Sequence, residues 1–355
     1  MINNRQTRLD RFFQEYGLDA ILFTNLLNTR YLSGFSGSEG VLLVAPDQAW
    51  LLCDSRYTIQ AAAETSCIEI RQFKDKKQDL ISLITEKEFQ RVGFESAYVS
   101  VAFYADFSEA LPDVQLVAIA DELDQIRAVK DSLELETMAA VAKMASDSLQ
   151  SVIPLIRPGV SEQQVARELE IEMLRRGAEG KSFDFIVASG ERGAMPHGRA
   201  SEKLLSAGEL VTIDFGAVMN GYCSDETVTL ALGQPAPQCR EIYDIVKAAH
   251  DMAIAAIRPG MHCRDLDALA RGFIESCGYG KFFGHGLGHG VGLEIHEKPT
   301  VSPRSDTVLQ EGMVVTIEPG IYIPDMGGVR IEDTVAVTSD GSRIITCCNK
   351  DLMVL

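Results

Sequence analysis

Three features of this 355-residue chain point to a two-domain α/β protein. Its length exceeds what one ordinary hydrophobic core fills. Its first third alternates helical and strand patterns, and the rest carries an internal repeat of helices and hairpins. We expect a small N-terminal α/β domain over residues 1–126. A larger α+β domain over 127–355 should follow, its antiparallel sheet flanked by helices and its halves related by a pseudo-two-fold.

The opening stretch MINNRQTRLDRFFQEYG is polar and helical in pattern. It lacks the apolar segment of a secretory signal. DAILFT (19–24) and GVLLVAPDQAWLLCDS (40–55) read as buried strands around a Pro46-Asp47 turn, and RYTIQAAAETS (56–66) reads as a helix. The domain should end near Gln125–Ile126. A new helix starts around Asp131, where Asp131 and Glu134 have capping-box spacing, and runs through TMAAVAKMASDSLQSVI.

The repeat begins with IRPG, at Ile156–Gly159 and again at Ile257–Gly260. Each copy follows one long amphipathic helix and precedes another. VTIDFG (Val211–Gly216) is echoed by VTIEPG (Val315–Gly320), and DET (Asp225–Thr227) by EDT (Glu332–Thr334). Four elements in one order at nearly one offset indicate two similar helix–helix–hairpin halves in a single domain.

A formal charge of −18 repels phosphate backbones and anionic lipid surfaces, so neither nucleic acid nor membrane is an expected partner. No apolar run approaches the roughly 20 residues of a membrane span. A cytoplasmic address is the default expectation. The eight cysteines form no C-x-x-C pair and are expected to be reduced and structural.

The repeat aligns acid with acid: Asp214 with Glu318, and Asp225 with Glu332. Asn220-Gly221 signals a two-residue hairpin turn, which sets Asp214 opposite Thr227. Asp225 then lies diagonal to Asp214 on the same face, roughly 7–8 Å away. In the second half the longer loop Pro324–Gly328 is expected to absorb three extra residues and give the same diagonal. Such acids could face solvent, but VTIDFG and VTIEPG are otherwise apolar and read as core. Carboxylates crowded in an interior either hold protons or neutralise a cation. Two divalent ions would compensate four of them, and an oxygen-rich set suits Mn²⁺ or Co²⁺, with Zn²⁺ as a further candidate.

Residues 285–296 read HGLGHGVGLEIH and hold three of the six histidines. Glycines at 284, 286, 288, 290 and 292 oppose a helix, and no H-E-x-x-H motif is present. Glycine-rich backbone leading into a strand (LEIHE) allows close approach to a metal or substrate. One histidine could complete the metal site while the others bond substrate or move protons; all three could also simply pack. His197, in a loop of glycine and small residues, is a candidate to join them. His250 and His262 read as structural or surface residues.

Taken together, HGLGHGVGLEIHE, DFG with a second aspartate eleven residues on, TIEPGIY and GGVRIEDT closely resemble the metallopeptidase family of pita-bread fold. That family includes methionine aminopeptidase, aminopeptidase P and prolidase. The resemblance runs over about 130–355, and the N-terminal third is similar to the creatinase-like extra domain of the aminopeptidase P and prolidase branch. It implies Asp214, Asp225, His289, Glu318 and Glu332 as ligands of a dinuclear centre, Mn²⁺ foremost, with Asp225 and Glu332 bridging and a metal-activated water as nucleophile. It implies His197, His285 and His296 as substrate-binding and catalytic groups, with Glu318 also assisting proton transfer. Arg330 should tether Glu332, contact substrate, or form an ordinary ion pair.

The implied activity is hydrolysis of the Xaa-Pro bond at the N-terminus of peptides, of aminopeptidase P or prolidase type, by a homodimer. Two alternatives are a relative that binds metal and peptide without catalysis, and a metal-free hydrolase of the creatinase kind. The five ligand positions, all present, speak against the second. One departure stands out: Val228 occupies a position where the family usually has arginine, which should alter support around the site rather than remove a ligand.

Overall fold

The computed structural model describes residues 5–355, so the first four residues of the opening helical stretch lie outside it. The chain forms two compact units, one ending at Arg127 and the other beginning at Ala128.

The first unit is a mixed sheet with helices. Its elements are α1 (Asp10–Tyr16), β1 (Ala20–Phe23), α2 (Leu26–Ser33), β2 (Val41–Val44), β3 (Ala49–Cys53), α3 (Thr58–Glu64) and β4 (Glu69–Gln72). They continue with α4 (Lys76–Glu86), β5 (Arg91–Glu95), α5 (Val101–Ala110) and β6 (Gln115–Ile119). The strand order is β4-β3-β2-β1-β5-β6. β2 pairs antiparallel with β1 and, through the Pro46-Asp47 turn, with β3, whereas β4, β5 and β6 join in parallel. Leu43, Trp50, Leu52, Leu83 and Val92 fill its core.

The second unit holds two similar halves. The first runs α6 (Ser132–Val152), α7 (Glu162–Arg175), β7 (Gly180–Lys181), β8 (Ile186–Ser189), β9 (Leu210–Phe215), β10 (Ala217–Met219), β11 (Tyr222–Cys223) and β12 (Glu226–Ala231). The second runs α8 (Pro237–Ala256), α9 (Cys263–Ser276), β13 (Gly288–Gly290), β14 (Glu297–Val301), β15 (Val314–Ile317), β16 (Gly320–Ile323), β17 (Gly327–Arg330), β18 (Asp333–Val337) and β19 (Ser342–Ile344).

Asp131 caps α6 with both bonds of a capping box in place, an arrangement worth about 1 kcal/mol. Both IRPG copies end on a glycine at φ 88°, Gly159 and Gly260, which turns the chain between paired helices. The helix pairs α6–α7 and α8–α9 each cover their own core. Leu149, Leu169, Val211 and Ile213 lie in one; Val246, Leu266, Val315 and Val335 lie in the other. The strand expected over LEIHE begins later, at Glu297, because the glycines and His296 stay in an irregular turn. All eight cysteines are free thiols.

Candidate metal centre and active site

In the first half the register of β9 and β12 sets Asp214 opposite Thr227 and Phe215 opposite Glu226. Asp225 therefore lies one step beyond the ladder, on the Thr227 face and diagonal to Asp214. Asn220 and Gly221 turn the hairpin with φ of 51° and 76°, as a two-residue turn of this hand requires.

The second half departs from expectation. Ile317 pairs with Asp333 and Gly320 with Arg330, which leaves Glu318 level with Glu332 rather than diagonal to it. The cause is turn length. Ile323 already pairs with Gly327, so only Pro324, Asp325 and Met326 form the turn, and the register closes two residues earlier. Asp325 and Gly327 take the positive φ values that allow this.

The two hairpins meet edge to edge along a seam. Glu332 N donates to Thr227 O at 3.1 Å, Thr229 Oγ1 donates to Arg330 O at 2.8 Å, and Thr334 Oγ1 donates to Asp225 O at 2.7 Å. Asp214, Asp225 and Glu332 are all buried on one side of this seam. Ligand atoms of Asp225, His289 and Glu332 lie within 4.8 Å of one another. His289 Nε2 is 3.5 Å from Asp225 Oδ2 and 3.4 Å from Glu318 Oε1.

Burial drives the electrostatics. It pushes the Asp225 and Glu332 carboxyls well above their usual range, and the neighbouring acids add to the effect. Glu318 rises to about 8, again chiefly by burial. Desolvation lowers His289 and so favours the neutral ring. His289 Nδ1 is 3.0 Å from Gly290 O. A carbonyl only accepts, so Nδ1 carries the proton and Nε2 turns a lone pair toward the carboxylates.

These residues fit a divalent centre. Four carboxylates and one neutral imidazole nitrogen converge, and Asp214 Oδ1 is buried with no hydrogen-bond partner in the structure. An orphaned carboxylate oxygen of that kind needs a cation or a proton.

Around the acids, a cavity of about 430 Å³ brings His197, His285 and His296 together with all five candidate ligands and Arg330. His285 Nδ1 donates to Gly286 O at 2.8 Å, so its Nε2 accepts from Tyr322 Oη at 2.9 Å. Burial lowers His285 to about 4. The His296 ring packs edge-on against His289 with centroids 4.4 Å apart, and its pKa is lowered, first by burial.

Arg330 does not tether Glu332. Its Nη2 donates to Asp214 Oδ2 at 2.6 Å, and its Nη1 donates to Tyr322 Oη and to Pro196 O, each at 3.0 Å. Glu332 is held instead by Thr227 Oγ1, at 2.6 Å. Strand alternation explains Val228: its side chain faces the first-half core, while Thr227 and Thr229 face the seam.

His250 is buried, and its Nε2 is 3.2 Å from Asp333 Oδ2. His262 sits at the N-cap of α9. Two features escaped sequence reading. Tyr322 connects Arg330 to His285, and its only signal was its place in TIEPGIY. Asp267 and Arg271 fix the glycine-rich loop: Arg271 donates to His285 O at 2.7 Å and Asp267 accepts from Leu287 N at 2.9 Å.

Comparison with known proteins bears on this site. Residues 136–339 match the metallopeptidase family M24, and residues 5–129 match the creatinase/prolidase N-terminal domain. The chain is 39% identical over 353 residues to an Xaa-Pro dipeptidase of Pyrococcus furiosus, covering 99% of this chain and 100% of that protein. The structure of an Xaa-Pro dipeptidase from Bacillus anthracis superposes with a TM-score of 0.96 at 42% identity, covering 99% of this chain and 100% of that one. An X-Pro aminopeptidase from Thermotoga maritima gives 0.91 at 37% identity, covering 98% and 100%.

Proposed function

The chain belongs to metallopeptidase family M24, whose pita-bread fold its larger domain adopts, and we propose that it hydrolyses the Xaa-Pro bond at the N-terminus of peptides. One observation carries this reading most: buried carboxylates and a neutral imidazole nitrogen converge beside a cavity lined by three further histidines.

Asp214, Asp225, His289, Glu318 and Glu332 would hold two divalent ions, Mn²⁺ by this proposal, with Asp225 and Glu332 shared between them. When bound, the pair would lower the pKa of water to give a nucleophile near neutral pH and would polarise the scissile carbonyl. The chain's own groups do the rest. Arg330 fixes Asp214, and Thr227 fixes Glu332. Glu318, on the cavity wall 3.4 Å from His289 Nε2, is the carboxylate placed to take and return a proton. Neutral His285, held by Tyr322, and the rings of His197 and His296 line the space for the substrate's amine and carbonyl. A tertiary Xaa-Pro amide has no N–H to place, so such a pocket needs no acceptor at that point. Homodimeric assembly in the cytoplasm completes the proposal, with peptides rather than nucleic acids as partners.

Metal-stripped protein is assayed with and without Mn²⁺ on Xaa-Pro, Xaa-Pro-Yaa and Xaa-Ala-Yaa. The expected result is Mn²⁺-dependent cleavage of the two proline substrates only. Their ratio assigns dipeptidase or aminopeptidase character. Cleavage of none, with two ions bound, would overturn the reading.

A further inference from the structure

Strand alternation gives the seam a second side. Asp225 and Glu332 point to the cavity, so the next residues, Glu226 and Asp333, point the opposite way. Both are buried. They occupy equivalent places in the two halves, and a single ammonium joins them. Lys350 Nζ lies 2.5 Å from Glu226 Oε1 and 3.2 Å from Asp333 Oδ1.

The surroundings hold this group in place. Glu226 also accepts from Ser146 Oγ at 2.6 Å and Cys348 N at 2.8 Å. Asp333 accepts from Thr346 Oγ1 at 2.6 Å and has His250 Nε2 at 3.2 Å. The lysine backbone is anchored as well, since Tyr243 Oη donates to Lys350 O at 2.8 Å. The C-terminal segment then lies along β12: Ala231 N donates to Met353 O and Leu355 N to Ala231 O, both at 2.9 Å.

We propose that Lys350 is a positioning residue that sets the separation of Asp225 and Glu332 by clamping the residues directly behind them, Glu226 and Asp333. The inference rests on the metal reading above, because only a pair of bridging carboxylates makes that separation matter. Two ions held about 3.5–4 Å apart tolerate little change in the spacing of the groups they share. A clamp made of opposite charges in a dry interior resists stretching more than neutral packing would. It also ties the two halves together directly beside the Glu332 N–Thr227 O backbone bond.

Removing Lys350 alone would leave buried Glu226 without its cation and Asp333 dependent on His250, which could unfold the chain. The test therefore uses the neutral triple variant Lys350→Met, Glu226→Gln, Asp333→Asn in the full-length protein. Mn²⁺ is titrated calorimetrically into metal-stripped wild type and variant, and the metal-free melting temperature is recorded for both. Wild type should bind two ions. The variant should melt like wild type without metal and bind the first ion normally. Its second ion should bind at least about tenfold more weakly, as for other groups that orient metal ligands.

Equal affinity for both ions in the two proteins would overturn the clamp while leaving the metal reading intact. Fewer than two ions in wild type would overturn the metal reading and the clamp with it. Ser146→Ala covers the case in which the triple variant does not fold, since it loosens Glu226 without changing any charge. A roughly threefold weaker second ion is then expected, and unchanged affinity overturns the proposal.

Discussion

The two halves of the larger domain share a scaffold but hold their acids differently. In the first half the acids are aspartates set diagonally, and a guanidinium braces one of them: Arg330 donates to Asp214. In the second half the acids are glutamates set level: Thr227 Oγ1 braces Glu332 at 2.6 Å, whereas Glu318 has a 3.3 Å hydroxyl contact from Thr316 and His289 Nε2 at 3.4 Å. The longer glutamate side chains reach the centre from a register two residues tighter. Duplication thus supplies the frame, and side-chain length and bracing divide the work. The braced acids, Asp214 above all because its partner is a cation, are suited to hold charge, whereas the more loosely held Glu318 is suited to move a proton.

The largest effect should come from breaking the shared ligands. His289→Ala or Glu332→Ala should each lose at least one bound ion and nearly all turnover, about 10³-fold or more. Metal analysis by atomic absorption checks this directly. Normal metal content in both variants would end the ligand assignment.

Bracing can be sharpened next. Arg330→Met should weaken metal binding by about 10–100-fold, because Asp214 loses its orienting partner. Thr316→Val, its counterpart in the other half, should cost much less in affinity and act mainly on kcat. Similar affinity losses from both would mean that the halves are braced alike.

The acids also predict a pH response. The folded-state pKa of Glu318 is about 8, above the roughly 4.3 of an unfolded glutamate. Its stabilising contribution is therefore fully present below about pH 4 and is lost as pH rises toward 8. Asp225 and Glu332 are shifted in the same direction. Metal-free protein should melt several degrees lower at pH 8 than at pH 5.5, and Mn²⁺ should raise the melting temperature more at pH 8. A flat metal-free profile in differential scanning calorimetry would contradict this assignment of charge.

Much of this site was legible because its signals are local. Acids inside VTIDFG and VTIEPG, a repeat with two glycine-ended IRPG turns, and histidines among glycines each violate an ordinary pattern. The Asn220-Gly221 hairpin was legible because that dipeptide favours one turn. The register of the second hairpin was not. PDMGG contains two glycines and an aspartate, any of which takes positive φ, so its turn length is underdetermined by sequence. Of the three roles the sequence left open for Arg330, the structure shows an ion pair, and its partner Asp214 could not be named because a shared face along one strand says nothing of a residue 116 positions away. Lys350 carries no local signature and Tyr322 only its place in TIEPGIY, and tertiary structure brings both to the seam.

The smallest predicted effect separates two histidines that sequence reading treated alike. His262 stands at the N-cap of α9 without a side-chain capping bond, and its Nδ1 is 3.2 Å from Asp306 O. Replacing it with alanine removes one half-exposed bond worth about 1 kcal/mol or less. His250 differs because it lies buried behind the seam, and its bonds to Asp251 and Asp333 raise its pKa despite the opposing effect of burial. His262→Ala should keep turnover within about twofold of wild type. A large loss would mean that α9 transmits more than the Asp267–Arg271 contact to the glycine-rich loop, and the division of work between the halves would have to include its helices.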